Sequence, residues 1–120
     1  MRLALVVAFA AGCQGAAAEQ TASDTVHSYF AAITASDCNA LSTLSGGKVA
    51  ANLEKLGCTD LIKGYEELGL ELVAINSEVE DGRDRDARIV HAVMKFAGKA
   101  PRELLLRVER ARGRWVLVSI

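Results

Sequence analysis

What this sequence has little of narrows the field before the rest is read closely. Beyond its opening residues it holds no apolar run near the roughly 20 residues that a membrane-spanning helix needs. Aromatic residues make up 5% of its 120 positions and no basic run is interleaved with them, so nucleic acid is not an expected partner. Histidine occurs twice, as His27 and His91, and neither stands at a zinc-motif spacing from a cysteine. No metal site and no cofactor is expected. No internal repeat or low-complexity tract follows Ala18. The length supports one domain.

The opening residues form a targeting segment. Met1-Arg2 carry positive charge, and Leu3 to Ala11 are apolar without interruption. That run is too short to span a membrane and fits the core of an export signal. Two cleavage sites compete. Ala10-Ala11-Gly12-Cys13 resembles a bacterial lipobox, with Ala10 where leucine is usual, and a cut there leaves Cys13 as the lipidated first residue. Ala16-Ala17-Ala18 ahead of Glu19 matches the small-residue site of ordinary secretion. Residues 1–18 are accordingly assigned to the signal and residues 19–120 to a single folded domain. The first cut gives a cell-envelope lipoprotein held to the membrane through Cys13. The second gives a soluble periplasmic or secreted protein.

Either cut removes Cys13 from consideration, as anchor or as discarded leader. Cys38 and Cys58 remain, an even number in an oxidising compartment, and a disulfide between them is expected. Closing that loop contributes roughly 3 kcal/mol in the chain-entropy treatment. A thiol nucleophile working with His91 is the competing use.

Formal net charge is −1, but the halves differ: Gln14 to Asp81 hold three bases and eleven acids, and Gly82 onward ten bases and four acids. Attraction between two layers of one domain, plus ordinary solvated faces, explains this blandly. A basic sheet surface for an anionic partner explains it more sharply.

The layers follow from periodicity. Val26, Tyr29, Phe30 and Ile33 fall on one helical face, with Ser23 or Asp24 placed to cap the start. Asp37 can cap a second short helix through Leu44, and a third runs from Lys48 to Leu56 before Gly57. Leu61, Ile62, Tyr65 and Leu68 suggest one or two further turns. From Leu70 the period changes to two. Val90, Ala92, Met94 and Phe96 share one strand face, and Leu104, Leu106 and Val108 alternate with charged residues. Asp81-Gly82, Gly98 to Pro101 and Arg112-Gly113 mark turns, and Trp115 to Val118 close the chain. Leu104-Leu105-Leu106, apolar on both faces, predicts a strand covered by helices on one side and closed over on the other.

The whole pattern is α+β, with amino-terminal helices on an antiparallel β-meander. Phe30-Ala31-Ala32-Ile33-Thr34-Ala35-Ser36-Asp37-Cys38, a helix ending in small residues and an Asp-Cys step, resembles small exported bacterial proteins of the nuclear-transport-factor-2-like superfamily. The finish in Gly113-Arg114-Trp115-Val116-Leu117-Val118 completes the resemblance. It implies a cone in which a curved sheet wraps the first helix around an apolar pocket. That superfamily includes ketosteroid isomerases, scytalone dehydratases and polyketide cyclases, beside non-catalytic binding and scaffold modules.

Fold alone does not choose among these. Tyr29, Tyr65, His91 and Trp115 are the candidates for lining a pocket. No catalytic motif of the superfamily is matched, so no catalytic residue is carried over. The expected function is a non-catalytic envelope module that binds a small apolar ligand or a partner protein. A lyase or isomerase with His91 or Asp37 as general base is the alternative, and His91 on an outward face would count against it. In a third reading a basic sheet face docks on an anionic envelope surface. The oligomeric state stays open, a dimer included.

Overall fold

The computed structural model of the protein describes residues 20–120. The signal segment, its two cleavage sites and Cys13 lie outside the described residues. Four helices come first: α1 (Ala22–Ala35), α2 (Cys38–Leu44), α3 (Gly47–Leu56) and α4 (Cys58–Leu68). Four strands follow: β1 (Glu71–Asp81), β2 (Asp84–Lys95), β3 (Arg102–Ala111) and β4 (Arg114–Ser119). The strands form one antiparallel sheet in chain order, as short turns between consecutive strands favour. The protein is α+β.

Helix α1 begins on a capping box. The Thr21 hydroxyl accepts from the Asp24 amide at 3.0 Å, and the Asp24 carboxylate accepts from the Thr21 amide at 3.1 Å. Ser23 or Asp24 was the expected cap. Thr21 takes the position because only there are two orphaned donors satisfied reciprocally. Val26, Tyr29, Phe30 and Ile33 are buried as their spacing requires, and they share one core with Val90, Ala92 and Met94 of β2. Leu106 and Val108 of β3 and Leu117 of β4 complete that core. Phe96, expected on the same face, falls just past β2 with the Arg102 guanidinium 5.2 Å from its ring centre.

Asp37 caps α2 as expected, accepting from the Ala40 amide at 3.1 Å. Between α2 and α3 the chain crosses close to the far edge of the sheet. The Gly46 amide donates to the Leu117 carbonyl at 2.9 Å, and Ser45 bridges Leu117 in parallel. A Cβ on Gly46 would stand 2.6 Å from Val116 Cγ2, so this approach requires glycine. The contact covers the edge of β4. At the other edge β1 is mostly exposed and is interrupted by three register shifts, which blunt it against further strand pairing.

Helix α4 has 11 residues where one or two turns were expected. Gly64 sits mid-helix facing open space, and the roughly 1 kcal/mol it costs does not break a segment anchored by buried Leu61 and Ile62. Cys38 opens α2 and Cys58 opens α4, and the two are joined in a disulfide with Cα atoms 5.8 Å apart. A structural disulfide belongs to a non-reducing compartment. No described helix is long and apolar enough to cross a membrane.

Two expectations about surfaces are corrected. The outer face of the sheet is not closed over: Leu105 is 58% exposed, and Val73 and Val79 are exposed as well. The second correction concerns charge. Every ion pair among the described residues lies within the sheet, so pairing between acidic helices and a basic sheet is not what holds the layers together. Apolar burial does that.

Candidate functional site

The four pocket candidates fall in three places. Tyr29 and Tyr65 meet, with hydroxyl oxygens 3.2 Å apart and rings edge to face. Tyr29 is fully buried, and burial first, then the Tyr65 hydroxyl, raises its phenol far above the ordinary range. It stays neutral and serves the core. Tyr65 is half-buried and borders a shallow recess of about 150 Å³ with Lys48 and Asn52.

His91 lies elsewhere. Its β2 neighbours Val90 and Ala92 point into the core, so alternation turns His91 to the outer face, beside Ser77 and Leu105 on the flanking strands. There its Nδ1 stands 3.2 Å from the Glu103 carboxylate, which also accepts from Asn76 at 2.8 Å. The Asn76 amide, and after it His91, hold the Glu103 carboxyl below the ordinary carboxylate range. A depressed folded-state value stabilises above the unfolded-state pKa, and that contribution is lost as pH falls through the folded value. Asn76→Ala removes the larger cause, so the Glu103 midpoint in an NMR titration of side-chain carboxyls rises toward the ordinary range. The variant then has less stability to lose on the acid side. An unmoved midpoint would show that Asn76 does not hold this carboxylate.

Trp115 occupies the third place, and a larger concavity forms around it. The Arg112-Gly113 turn sets Arg110 opposite Trp115 across the β3–β4 hairpin, in the inner parity of Val108 and Leu117. One strand over, Arg88 pairs with Val108, and Glu80 of β1 pairs with Arg88. The inner face therefore changes along its length, from apolar beneath α1 to charged beyond the helix start. Trp115, 7% exposed, is the boundary.

The first turn of α1 is tied down at this boundary. Glu78 accepts from the Ser23 amide at 2.9 Å and from its hydroxyl at 2.7 Å, a negative charge at a helix start. The Thr25 hydroxyl donates to the Trp115 carbonyl at 3.3 Å. Between helix start and hairpin tip lies a recess of about 510 Å³, within the size range of small-molecule sites. Arg88, Arg110, Arg114 and Trp115 line it, together with Glu78, Gln20 and Thr21.

Its electrostatics are lopsided. The Arg88 and Arg110 guanidinium carbons lie 5.1 and 4.7 Å from the Trp115 ring centre, close enough for cation–π attraction. Arg88 has carboxylates of Glu78 and Glu80 at 3.8 Å. Arg110 and Arg114 make no ion pair among the described residues.

Trp115, a pocket candidate on sequence grounds, lines this recess, and Arg88, Arg110 and Glu78 beside it were not candidates. The hairpin register that sets Arg110 against Trp115 could have been drawn from the Arg112-Gly113 turn. The arrival of Arg88 from a third strand has no local signal. Among the described residues no cluster of histidine, cysteine or acidic side chains could hold a metal ion. No protein-family model matches the chain, and no curated protein matches it significantly.

Proposed function

We propose that this protein is a non-catalytic binding module of the bacterial cell envelope, exported and anchored through Cys13, on a nuclear-transport-factor-2-like cone. It engages a small ligand or a partner at the Trp115 recess. The observation that carries this reading is the filled space between α1 and the sheet, where Tyr29, Met94, Leu106 and Leu117 are fully buried. An interior packed with side chains suits binding at the rim better than chemistry inside the cone. The lyase or isomerase alternative fares poorly on geometry. His91 faces away from α1 and the tyrosine pair, and Asp37 is occupied as a helix cap. Support for the cone comes from the register shifts in β1 and β3–β4, since bulges bend a sheet. Support for export comes from the disulfide.

Fractionation of a bacterial host expressing the full chain, with intact-mass measurement of the processed amino terminus, tests the proposal. Diacylglyceryl-modified Cys13 in the membrane fraction is the expected result. A free amino terminus at Glu19 in the soluble exported fraction keeps the envelope module and removes the anchor. An intact Met1 in the cytosol defeats both.

A further inference from the structure

We infer that the Trp115 recess is a binding site for a phosphate group, carried by a soluble phosphate ester or by a lipid headgroup. This rests on the reading above that the recess is the module's binding face, and it adds the chemistry of what is bound. The recess is lined by three arginines from three strands and by one acidic residue, Glu78, whose carboxylate accepts from the first turn of α1 and lies 3.8 Å from Arg88.

Arg110 is the centre of the argument. Its guanidinium lies over the Trp115 ring, 4.7 Å from the centroid. A guanidinium has five N–H donors, more than contact with one aromatic ring can engage, so donors remain for an oxyanion. Arg110 and Arg114 have no carboxylate to meet that capacity among the described residues. Arg88, flanked by the Glu78 and Glu80 carboxylates at 3.8 Å, lies against the same indole, 5.1 Å from its centre. The positive charge left on Arg110 and Arg114 is relieved by an anion. Two uncompensated guanidiniums match the charge of a phosphate monoester and exceed that of a diester headgroup, and bidentate bonding to two adjacent unesterified oxygens, which both carry, is the geometry that arginine favours over lysine. A volume of about 510 Å³ leaves room for the group that carries the phosphate.

Position favours a lipid headgroup as one of the two sources. Gln20 and Thr21 are among the lining residues. Cys13 precedes Gln20 by seven residues, a reach of at most about 25 Å for an extended chain. A recess that close to an anchored residue meets headgroups.

The chain has a single tryptophan, and it borders this recess, so intrinsic fluorescence reads the site directly. Purified full-length protein is titrated with glycerol phosphate, with phosphatidylglycerol vesicles, with neutral phosphatidylcholine vesicles and with sodium sulfate. A saturable Trp115 response to glycerol phosphate supports the site with a soluble ester. A response to phosphatidylglycerol vesicles, absent with phosphatidylcholine, supports it with a headgroup. Arg110→Gln should weaken whichever response is seen by about tenfold or more, as loss of a charged hydrogen-bond pair predicts. Arg110→Lys keeps the charge without the fork and should recover only part of it. Arg102→Gln removes a guanidinium over Phe96, outside the recess lining, and should leave the response intact. Should Arg110→Gln fail to fold, Arg114→Gln takes its place, with the same loss expected.

No response to either phosphate probe overturns the inference. So does a response equalled by sulfate, or one that survives both Arg110→Gln and Arg114→Gln. The titration needs no exported protein, so failure here and failure of the envelope reading are told apart. A cytosolic chain that binds phosphate keeps the site and loses the compartment. An exported chain that ignores it does the reverse.

Discussion

Leu106→Ala lowers the free energy of unfolding by about 2–5 kcal/mol, whereas Leu105→Ala, one residue earlier, changes it by less than about 0.5 kcal/mol. The two side chains are identical and adjacent, so only the face they occupy separates them. Leu106 is fully buried, pairs across the ladder with Val90, and belongs to the core shared with Phe30 and Ile33 of α1. Truncating it removes apolar contacts and leaves a cavity that a sheet pinned on both sides closes only in part. Leu105 points away from α1 and remains 58% exposed, so truncation there removes little that folding had taken out of water. Urea denaturation of both variants, compared at unchanged slope, measures the difference. Equal losses at the two positions would mean that the face assignment of β3 is wrong.

The same pair of leucines shows where the sequence stops being informative. Alternation placed Val90, Met94, Leu106 and Val108 together, and the structure buries all four in one core. That worked because period-two patterning is local and one face is clearly the more apolar. At Leu104-Leu105-Leu106 the pattern is apolar on both faces, and local sequence does not say whether a second cover exists. The structure leaves Leu105 exposed. Helix ends behaved alike: Asp37 was recognisable as a cap, while Thr21 depended on a reciprocal bond with Asp24 that only the assembled turn displays. The Trp115 recess was the least legible feature. It brings together α1, β1, β2 and the β3–β4 hairpin, and no single segment carries the pattern. The excess of arginine after Gly82 was visible. That part of it gathers around one indole depends on register.

Opening the Cys38–Cys58 bridge, by reduction or by Cys38→Ser with Cys58→Ser, costs about 3 kcal/mol and lowers the Tm by on the order of 10–20 °C. The bridge spans a sequence separation of 20 and encloses α2 and α3, of 7 and 10 residues. Helices shorter than about 12–15 residues are marginal alone in water, so these depend on tertiary contacts and on the tether. Their loop also supplies Ser45 and Gly46, which cover the edge of β4 through Leu117. Loosening the tether therefore reaches the sheet, and the loss shows in global unfolding as well as in local fraying. The Trp115 recess is built from Gln20 and the N-cap Thr21 ahead of α1 and from the far ends of the strands, outside the bridged loop. Its fluorescence response to phosphate should survive reduction at temperatures well below the lowered Tm. Calorimetry with and without reductant measures the shift, and thiol titration of unfolded, unreduced protein measures the bridge. Reactive thiols at both Cys38 and Cys58 in exported protein would remove the tether from the account of stability, and would return to these cysteines the nucleophilic chemistry that the disulfide denies them.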